Sequence, residues 1–153
     1  MNLFRCVCTL FTWVLAPNLL AASCLLTAVK PACWANYTVF INILDAQTQR
    51  KLTDITLSTD KLWNRVRFEC EPGQRLAYQA SFKPAIWQGQ EHAIYQAQKF
   101  WLLPTNKALP AQTWEIQLCF PTAFAEVPMP PLGNQPCACD FKAIPTVKLK
   151  STE

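Results

Sequence analysis

Proline limits what this chain can fold into more than any other residue type does. Twelve of the 153 residues are proline, and they recur from residue 17 to residue 145. A proline inside a helix removes a backbone hydrogen bond and clashes with the preceding turn, so long helices are excluded over most of the chain. Glycine occurs only three times, which argues against the glycine-rich loops that cradle phosphate groups. The chain therefore has to form short elements joined by stiff connections.

The segments between these prolines show the period-two alternation of β-strands. Residues 62–69 alternate Leu, Asn, Val and Phe with Trp, Arg, Arg and Glu, and residues 114–118 alternate apolar with polar side chains. Pro72 and Gly73 occupy the positions in residues 71–74 that a type II turn requires. The first strand after residue 36 carries its β-branched and aromatic side chains on one face, at Tyr37, Val39, Ile41 and Ile43.

About seven to eight such strands, with turn signals roughly every 8–12 residues, predict an all-β fold with a single antiparallel β-sandwich. Residues 93–104 could form a strand or a helix, and their aromatic content and flanking prolines favour a strand. Residues 139–149 are the last candidate strand. The sandwich is only loosely immunoglobulin-like. Gln117 stands two residues before Cys119, where a tyrosine corner needs Tyr, and Trp87 lies far from Cys70 for a core tryptophan.

The N-terminus has the pattern of an export signal. A single basic residue, Arg5, precedes an apolar run that carries no charge until Lys30, which is typical of a secretory signal peptide. An uncleaved membrane anchor is an alternative, although Pro17 interrupts the run. A lipoprotein modified at Cys24 is another, although the leucine of such a motif is one position too early.

Two cleavage positions compete. Cleavage after Ala35 would make residues 1–35 the signal peptide and residues 36–153 the β-sandwich domain, and it is favoured because a strand pattern follows at once. The alternative lies near residues 22–23. Cleavage after Ala35 removes Arg5 and Lys30, so the net charge falls from +4 to +2. No basic cluster remains that indicates a nucleic-acid surface, and the membrane is a partner only through an uncleaved signal.

Four cysteines follow residue 36 and predict two disulfides in an exported chain, namely those of Cys70, Cys119, Cys137 and Cys139. With the earlier cleavage Cys24 and Cys33 remain as well, and the number is still even. A direct bridge between residues two apart on a strand would be strained. We therefore expect Cys137 and Cys139 to pair separately with Cys70 and Cys119, in an order that the sequence leaves open.

Other chemistry for the cysteine pair is poorly supported. A metal site would combine Cys137 and Cys139 with His92 or Met129, but structural zinc sites separate their cysteines by two to four residues. A redox pair would need the Cys-x-x-Cys spacing. His92 is the chain's only histidine, and no serine lies in a glycine-flanked elbow. We expect no cofactor, no metal and no catalytic residues.

Residues 120–136 contain five prolines and predict an extended Pro-rich crossover rather than a helix or a central strand. Trp63 shares its strand face with charged residues, and Trp87 lies beside Gly89 in a polar loop. Exposed aromatic residues often anchor interfaces or stack on sugars. The residues expected to take part in recognition are Trp63, Trp87, Pro128, Pro130 and Pro131.

These observations predict an exported, periplasmic or secreted protein that acts without catalysis. The first hypothesis is a binding or structural accessory protein of the cell envelope with an unidentified protein partner. One alternative is an inhibitor of an exogenous hydrolase, which would project a rigid loop. Another is a carbohydrate-binding module that uses exposed tryptophans. The sequence does not specify the partner or the oligomeric state.

Overall fold

The computed structural model describes residues 22–105, 113–131 and 137–147. Over these ranges the protein is all-β, with one short 3-10 helix at Ala32–Trp34. No helix among the described residues is long and apolar enough to cross a membrane. The strands are β1 Ala22–Val29, β2 Thr38–Asp45, β3 Lys51–Leu57, β4 Trp63–Cys70, β5 Arg75–Lys83, β6 Tyr95–Gln96, β7 Trp101–Leu102 and β8 Thr113–Cys119.

The strands form two sheets. The first has the order β4-β1-β8, and β1 lies at its centre. β1 pairs with β4 in the antiparallel sense but with β8 in the parallel sense, so the expectation of a purely antiparallel sandwich is wrong for this pair. The second sheet has the order β3-β2-β5-β6, and β7 also pairs with β5. All pairs in this second sheet are antiparallel.

The core lies between the two sheets. In the first sheet Cys24, Leu26 and Ala28 point inward from β1, and alternate residues of β8 do the same. The second sheet contributes the β2 residues whose alternation predicted a buried face, Val39, Ile41 and Ile43, all of which are fully buried. Each such side chain stabilises the fold by roughly 1.5–3 kcal/mol. The pattern of alternation thus predicted the inward faces of β2 and β8 correctly.

One end of the core is aromatic. Trp34 makes edge-to-face contacts with Tyr37, Phe82 and Phe120, at ring-centroid distances of 5.0, 4.9 and 4.8 Å. Trp34 and Phe120 are fully buried. Edge-to-face pairs of this kind contribute about 0.5–1.5 kcal/mol each beyond the area they bury. The 3-10 helix therefore closes one end of the sandwich.

The position of β1 corrects the expected domain boundary. Residues 22–35 were expected to leave with the signal peptide, yet they form the central strand of the first sheet and the helix that carries Trp34. The described fold therefore includes residues 22–35 as well as the residues after 36. The sequence did not separate β1 from the signal pattern before it, because a strand buried on both faces is as continuously apolar as a signal peptide. Residues 1–21 lie outside the described residues.

Three disulfides staple the described residues: Cys24–Cys70, Cys33–Cys137 and Cys119–Cys139. All four cysteines that follow residue 36 are bonded, and Cys137 and Cys139 take separate partners. Only Cys119–Cys139 has the partnership expected from the sequence. Cys70 and Cys137 pair instead with Cys24 and Cys33, because residues 22–35 belong to the fold.

One further expectation differs from the structure. The last strand was expected at residues 139–149, but residues 139–147 form turns and bends without strand pairing, and residues 148–149 lie outside the described residues. The crossover 120–136 is irregular over its described part, and it packs against the second sheet through a bridge between Phe124 and Ala97. Residues 132–136 lie outside the described residues. Cys137 and Cys139 therefore anchor an irregular tail rather than a strand.

Candidate functional site

The residues predicted to take part in recognition lie in three separate places. Trp63 begins β4, and Trp87 lies in the loop between β5 and β6, where its side chain is 60% exposed. Of the three prolines, Pro128 is half-buried, Pro130 is buried and Pro131 is exposed. None of the three cavities described below is lined by more than one of these residues. The structure therefore does not bring them together into one site.

Trp63 is partly covered rather than fully exposed. The guanidinium of Arg65 lies 5.7 Å from the centre of its ring, a distance at which a cation and an aromatic face attract each other. Trp63 lines two shallow cavities of about 330 and 300 Å³, the second of which also involves Ala138 and Asp140 of the irregular tail. Its role in the described structure is to pack beside Arg65 and the tail.

Arg65 organises the outer face of the first sheet. Its Nε donates a hydrogen bond of 2.8 Å to the hydroxyl of Thr27, which is fully buried. Its Nη1 donates to the carbonyl of Pro145 at 3.0 Å, and its Nη2 lies 3.4 Å from the carboxylate of Glu115. One side chain thus links β4, β1, β8 and the tail. All of these contacts of Arg65 are made within the protein, which indicates a structural role for Arg65.

Lys30 is a buried charge at the end of β1. Its ammonium group donates to the carbonyls of Tyr37 and Ser58, the latter at 2.8 Å, and lies 3.4 Å from the carbonyls of Ala35 and Leu57. Burial lowers the pKa of Lys30 to about 8, and the nearby carboxylate of Asp60 partly opposes this shift. Because all of its partners are main-chain carbonyls, Lys30 ties together the chain segments around the 3-10 helix.

The loop that carries Trp87 also carries the chain's only histidine. Gly89, with a φ of 86°, donates its backbone N–H to the carboxylate of Glu91 at 3.1 Å. Hydrogen bonds from the backbone N–H of Glu91 itself and then from that of Gly89 lower the pKa of Glu91. His92 is exposed beside it. The described residues place no nucleophile in hydrogen-bond contact with this histidine.

A third cavity lies on one side of the sandwich, between the β8 edge of the first sheet and the β6–β7 edge of the second. Its volume is about 330 Å³. Tyr78 of β5 forms part of its lining, Gln117 and Leu118 of β8 form another part, and Phe100 and Trp101 come from the β6–β7 segment. The cavity combines apolar walls with a few polar groups, which is the usual composition of a binding site.

We call this the Tyr78 cavity, after the buried tyrosine in its lining. Tyr78 is only 2% exposed, and its hydroxyl is buried without a hydrogen-bond partner among the described residues. Burial raises the pKa of Tyr78, so the hydroxyl stays protonated. A buried hydroxyl without a partner costs about 1–3 kcal/mol.

An exposed apolar segment borders the Tyr78 cavity. Phe100, Trp101 and Leu102 are 64%, 39% and 60% exposed, and we call these three residues the aromatic edge. Sequence reasoning missed this segment because residues 93–104 were read as a single element, with a strand favoured over a helix. The available signal was the uninterrupted apolar run at residues 100–103, since a strand with one buried face alternates.

The candidate metal ligands do not form a metal site. Cys137 and Cys139 are held in disulfides, and His92 and Met129 are both exposed. Within the ranges that the structure describes, no group of three or more His, Cys, Asp or Glu side chains could hold a metal ion.

No family model, no curated protein and no solved structure matches this chain.

Proposed function

We propose that this protein is an exported, non-catalytic binding or structural accessory protein of the cell envelope, located in the periplasm or secreted. The observation that carries the proposal is the aromatic edge beside the Tyr78 cavity, because large exposed apolar side chains are a feature of interaction surfaces. Three intramolecular disulfides support an oxidising, extracytoplasmic environment.

The export signal is part of the same proposal. We place it before β1, with cleavage close to Ala22, the first residue of that strand, since cleavage after Ala35 would remove the whole of β1. The apolar character of the first 21 residues and the single Arg5 support it. A loosely immunoglobulin-like relationship remains a proposal as well, supported by two sheets that pack face to face over one core.

The partner that fits the aromatic edge is a protein. Interfaces between proteins are enriched in aromatic residues, which bury a large area at a small cost in side-chain entropy. The exposed neighbours Gln98 and Lys99 supply the polar rim that such interfaces carry.

Capture of the partner tests this function. The tagged mature protein would be incubated with envelope extract, and the bound proteins would be recovered under non-reducing conditions. We expect a specific partner with the wild-type protein and its loss with Trp101→Ala. Trp87→Ala is the matched control, because Trp87 is also exposed but lies outside the aromatic edge. Equal recovery of the partner with Trp101→Ala would show that the interface lies outside the aromatic edge. Recovery of no partner with the wild-type protein would contradict the proposal.

The two alternatives have less support. A hydrolase inhibitor would project a rigid loop, but the described part of the Pro-rich crossover packs down, with Phe124 and Pro130 buried. A carbohydrate-binding module would present coplanar exposed tryptophans. Trp87 and Trp101 are exposed in separate segments, and neither takes part in an aromatic pair among the described residues. Titration with a panel of glycans, with binding measured by tryptophan fluorescence, tests the second alternative. Binding of a glycan would favour the carbohydrate-binding module over a protein-binding function.

A further inference from the structure

We propose that the irregular tail, residues 137–147, is a strap that reduction releases from the first sheet. One of its two disulfides is a latch that opens, and the other is a tether that stays closed. Release of the tail uncovers an apolar surface around Trp63. This inference goes beyond the proposed function and concerns a different surface, because the cavity beneath the tail shares no lining residue with the Tyr78 cavity.

The tail is held to the rest of the protein mainly by its disulfides. It has no strand pairing over its described length. The one N–H that the sheets donate to the described tail is that of Arg65 Nη1, which bonds to the carbonyl of Pro145 at 3.0 Å in an exposed position. The hydrogen bond between the N–H of Ile144 and the carbonyl of Phe141 lies within the tail itself. Because a single exposed hydrogen bond contributes little, a covalent bond has to keep the tail in place.

The three disulfides differ in how closely a reductant can approach them. Cys24 and Cys70 are 0% and 2% exposed, and Cys33 is 8% exposed. Cys119 and Cys139 are both half-buried, so theirs is the one bond of these three in which neither cysteine is buried. Thiol–disulfide exchange depends on the access of the attacking thiol to a sulfur atom. The Cys119–Cys139 bond is therefore the latch.

The reductant that opens the latch is a dithiol. One of its thiolates attacks a sulfur of the Cys119–Cys139 bond, which breaks, and a mixed disulfide forms while the displaced cysteine takes up a proton. The second thiolate of the reductant then attacks the mixed disulfide and releases the other cysteine as a thiol. The dithiol supplies two electrons and two protons and leaves as a disulfide, so that both cysteines of the latch end as thiols.

The tether is protected by the core. Cys33 lies in the 3-10 helix that carries Trp34, and its partner Cys137 packs against the core cluster. Cys137 is also the first residue of the described tail. An intact tether therefore holds the start of the tail while residues 138–147 move away, so the tail can return and the latch can form again.

The surface beneath the tail is largely apolar. A cavity of about 300 Å³ separates the tail from the first sheet and the segment after it. Val29 and Trp63 line this cavity from the sheet, together with Leu62, which is already 42% exposed. Val29 is only 2% exposed while the tail is in place. Release of the tail would expose Trp63 and Val29 further and so enlarge the apolar surface at Leu62.

Stepwise reduction of the oxidised mature protein tests the order of opening. The folded protein would be titrated with dithiothreitol at neutral pH, and free thiols would be trapped with N-ethylmaleimide and located by peptide mass mapping. We expect labels at Cys119 and Cys139 first, while circular dichroism still shows the native fold. Opening of either other bond first, or opening of the latch only together with global unfolding, would overturn the inference.

Tryptic cleavage tests the release of the tail. Lys142 lies in the tail, and Lys61, in the turn before β4, is an exposed control. We expect cleavage after Lys142 to accelerate at least about tenfold when the latch opens, because proteolysis follows local opening. Cleavage after Lys61 should not change. Equal rates after Lys142 in the oxidised and partly reduced proteins would show that the tail stays in place and would overturn the inference.

Two matched variants separate the latch from the tether. The paired change Cys119→Ser with Cys139→Ser should bind more anilinonaphthalene sulfonate than the oxidised wild type and show fast cleavage after Lys142 without reductant. The paired change Cys33→Ser with Cys137→Ser keeps the latch and should resemble the oxidised wild type in both measurements. The opposite result would exchange the two roles and overturn the inference. The partly reduced wild type provides the same two measurements if a variant does not fold.

Discussion

A disulfide joins Cys33, in the 3-10 helix, to Cys137, at the start of the irregular tail, at a sequence separation of 104 and with Cα atoms 5.3 Å apart. It fastens the tail to the end of the core that Trp34 closes. The second bond of the tail, Cys119–Cys139, spans only 20 residues. The two bonds therefore hold the same segment but constrain the unfolded chain to very different degrees.

Removal of these bonds should destabilise the protein unequally. Cross-linking a loop of about 100 residues removes unfolded-state entropy worth about 4.7 kcal/mol, against about 3 kcal/mol for a loop of about 15 residues. We expect the paired change Cys33→Ser with Cys137→Ser to lower the free energy of unfolding by more than the paired change Cys119→Ser with Cys139→Ser, by about 1 kcal/mol. Urea denaturation under oxidising conditions measures both, and the reverse order would contradict the chain-entropy argument.

The start of the mature chain gives a second prediction. β1 is the central strand of its sheet, and its Cys24 pairs with Cys70. We expect the exported protein to begin before Cys24 and to retain the 24–70 bond, and we expect a version that begins at residue 36 to be unfolded because its sheet lacks the strand that joins β4 to β8. Intact-mass analysis of the exported protein and circular dichroism of the two versions check this. If the version that begins at residue 36 folded, β1 would not be essential to the fold.

The sequence predicted the parts of the fold that show clear alternation. The buried faces of β2 and β8 and the turn at Pro72–Gly73, where Gly73 has a φ of 72°, follow from period-two patterns and turn chemistry. β1 has no such alternation, because seven of its eight residues are buried. A strand that is apolar on both faces has the same local pattern as the apolar region of a signal peptide, so no local rule separated the two.

The candidate site was predicted less well. Trp63 and Trp87 were identified as single exposed aromatics, but the Tyr78 cavity depends on residues from β5, β8 and the β6–β7 segment, which only the packing of the two sheets brings together. The burial of the Tyr78 hydroxyl is equally non-local. Gln117 was considered only because it stands where a tyrosine corner needs Tyr, and Leu118 only as one apolar position in the alternation of residues 114–118.

Lys30 gives a third prediction. Its ammonium group is surrounded by main-chain carbonyls, of which that of Ser58 lies at 2.8 Å. We expect Lys30→Met to lower the free energy of unfolding by about 2 kcal/mol at pH 7, because carbonyls in the interior lose their donor. Lys61→Met, at an exposed position, is the control and should change stability by less than about 0.5 kcal/mol. Unchanged stability in Lys30→Met would show that the carbonyls find other donors.

The pKa of Lys30 adds a pH dependence to this prediction. The folded-state pKa is lowered from 10.5 to about 8 by burial. Between pH 8 and 10.5 the unfolded chain therefore binds more protons at Lys30 than the folded protein does, so its contribution to stability rises with pH. We expect the stability difference between wild type and Lys30→Met to grow across this window by up to about 3 kcal/mol. A difference that shrinks with rising pH would contradict the lowered pKa.

Asp45 gives the opposite pH dependence. Its carboxylate accepts hydrogen bonds from the Gln74 side chain at 2.8 Å and from the backbone N–H groups of Thr48 and Gln47. Chiefly through the Gln74 contact, these bonds lower the pKa of Asp45 from 3.8 to about 2. The stability that they contribute is present above pH 3.8 and is lost as the pH falls toward 2.

We expect Asp45→Asn to lower the free energy of unfolding at pH 7 by about 1 kcal/mol, a value reduced from the full shift because solvent screens the partly exposed group. It should also flatten the fall in stability between pH 4 and 2. Asp54→Asn is the control, since Asp54 forms only an exposed ion pair with Lys51. Urea denaturation at a series of pH values measures both variants, and parallel acid profiles for wild type and Asp45→Asn would argue against the hydrogen-bond mechanism.

Tyr78 tests the cost of a buried hydroxyl without a partner. Its hydroxyl has no described partner, so Tyr78→Phe removes a buried polar group without removing a hydrogen bond and keeps the ring that fills the core. We expect the free energy of unfolding to stay equal or to rise by about 1 kcal/mol. Thermal and urea denaturation of the variant measure the effect, and a loss of stability would show that the hydroxyl stabilises the fold.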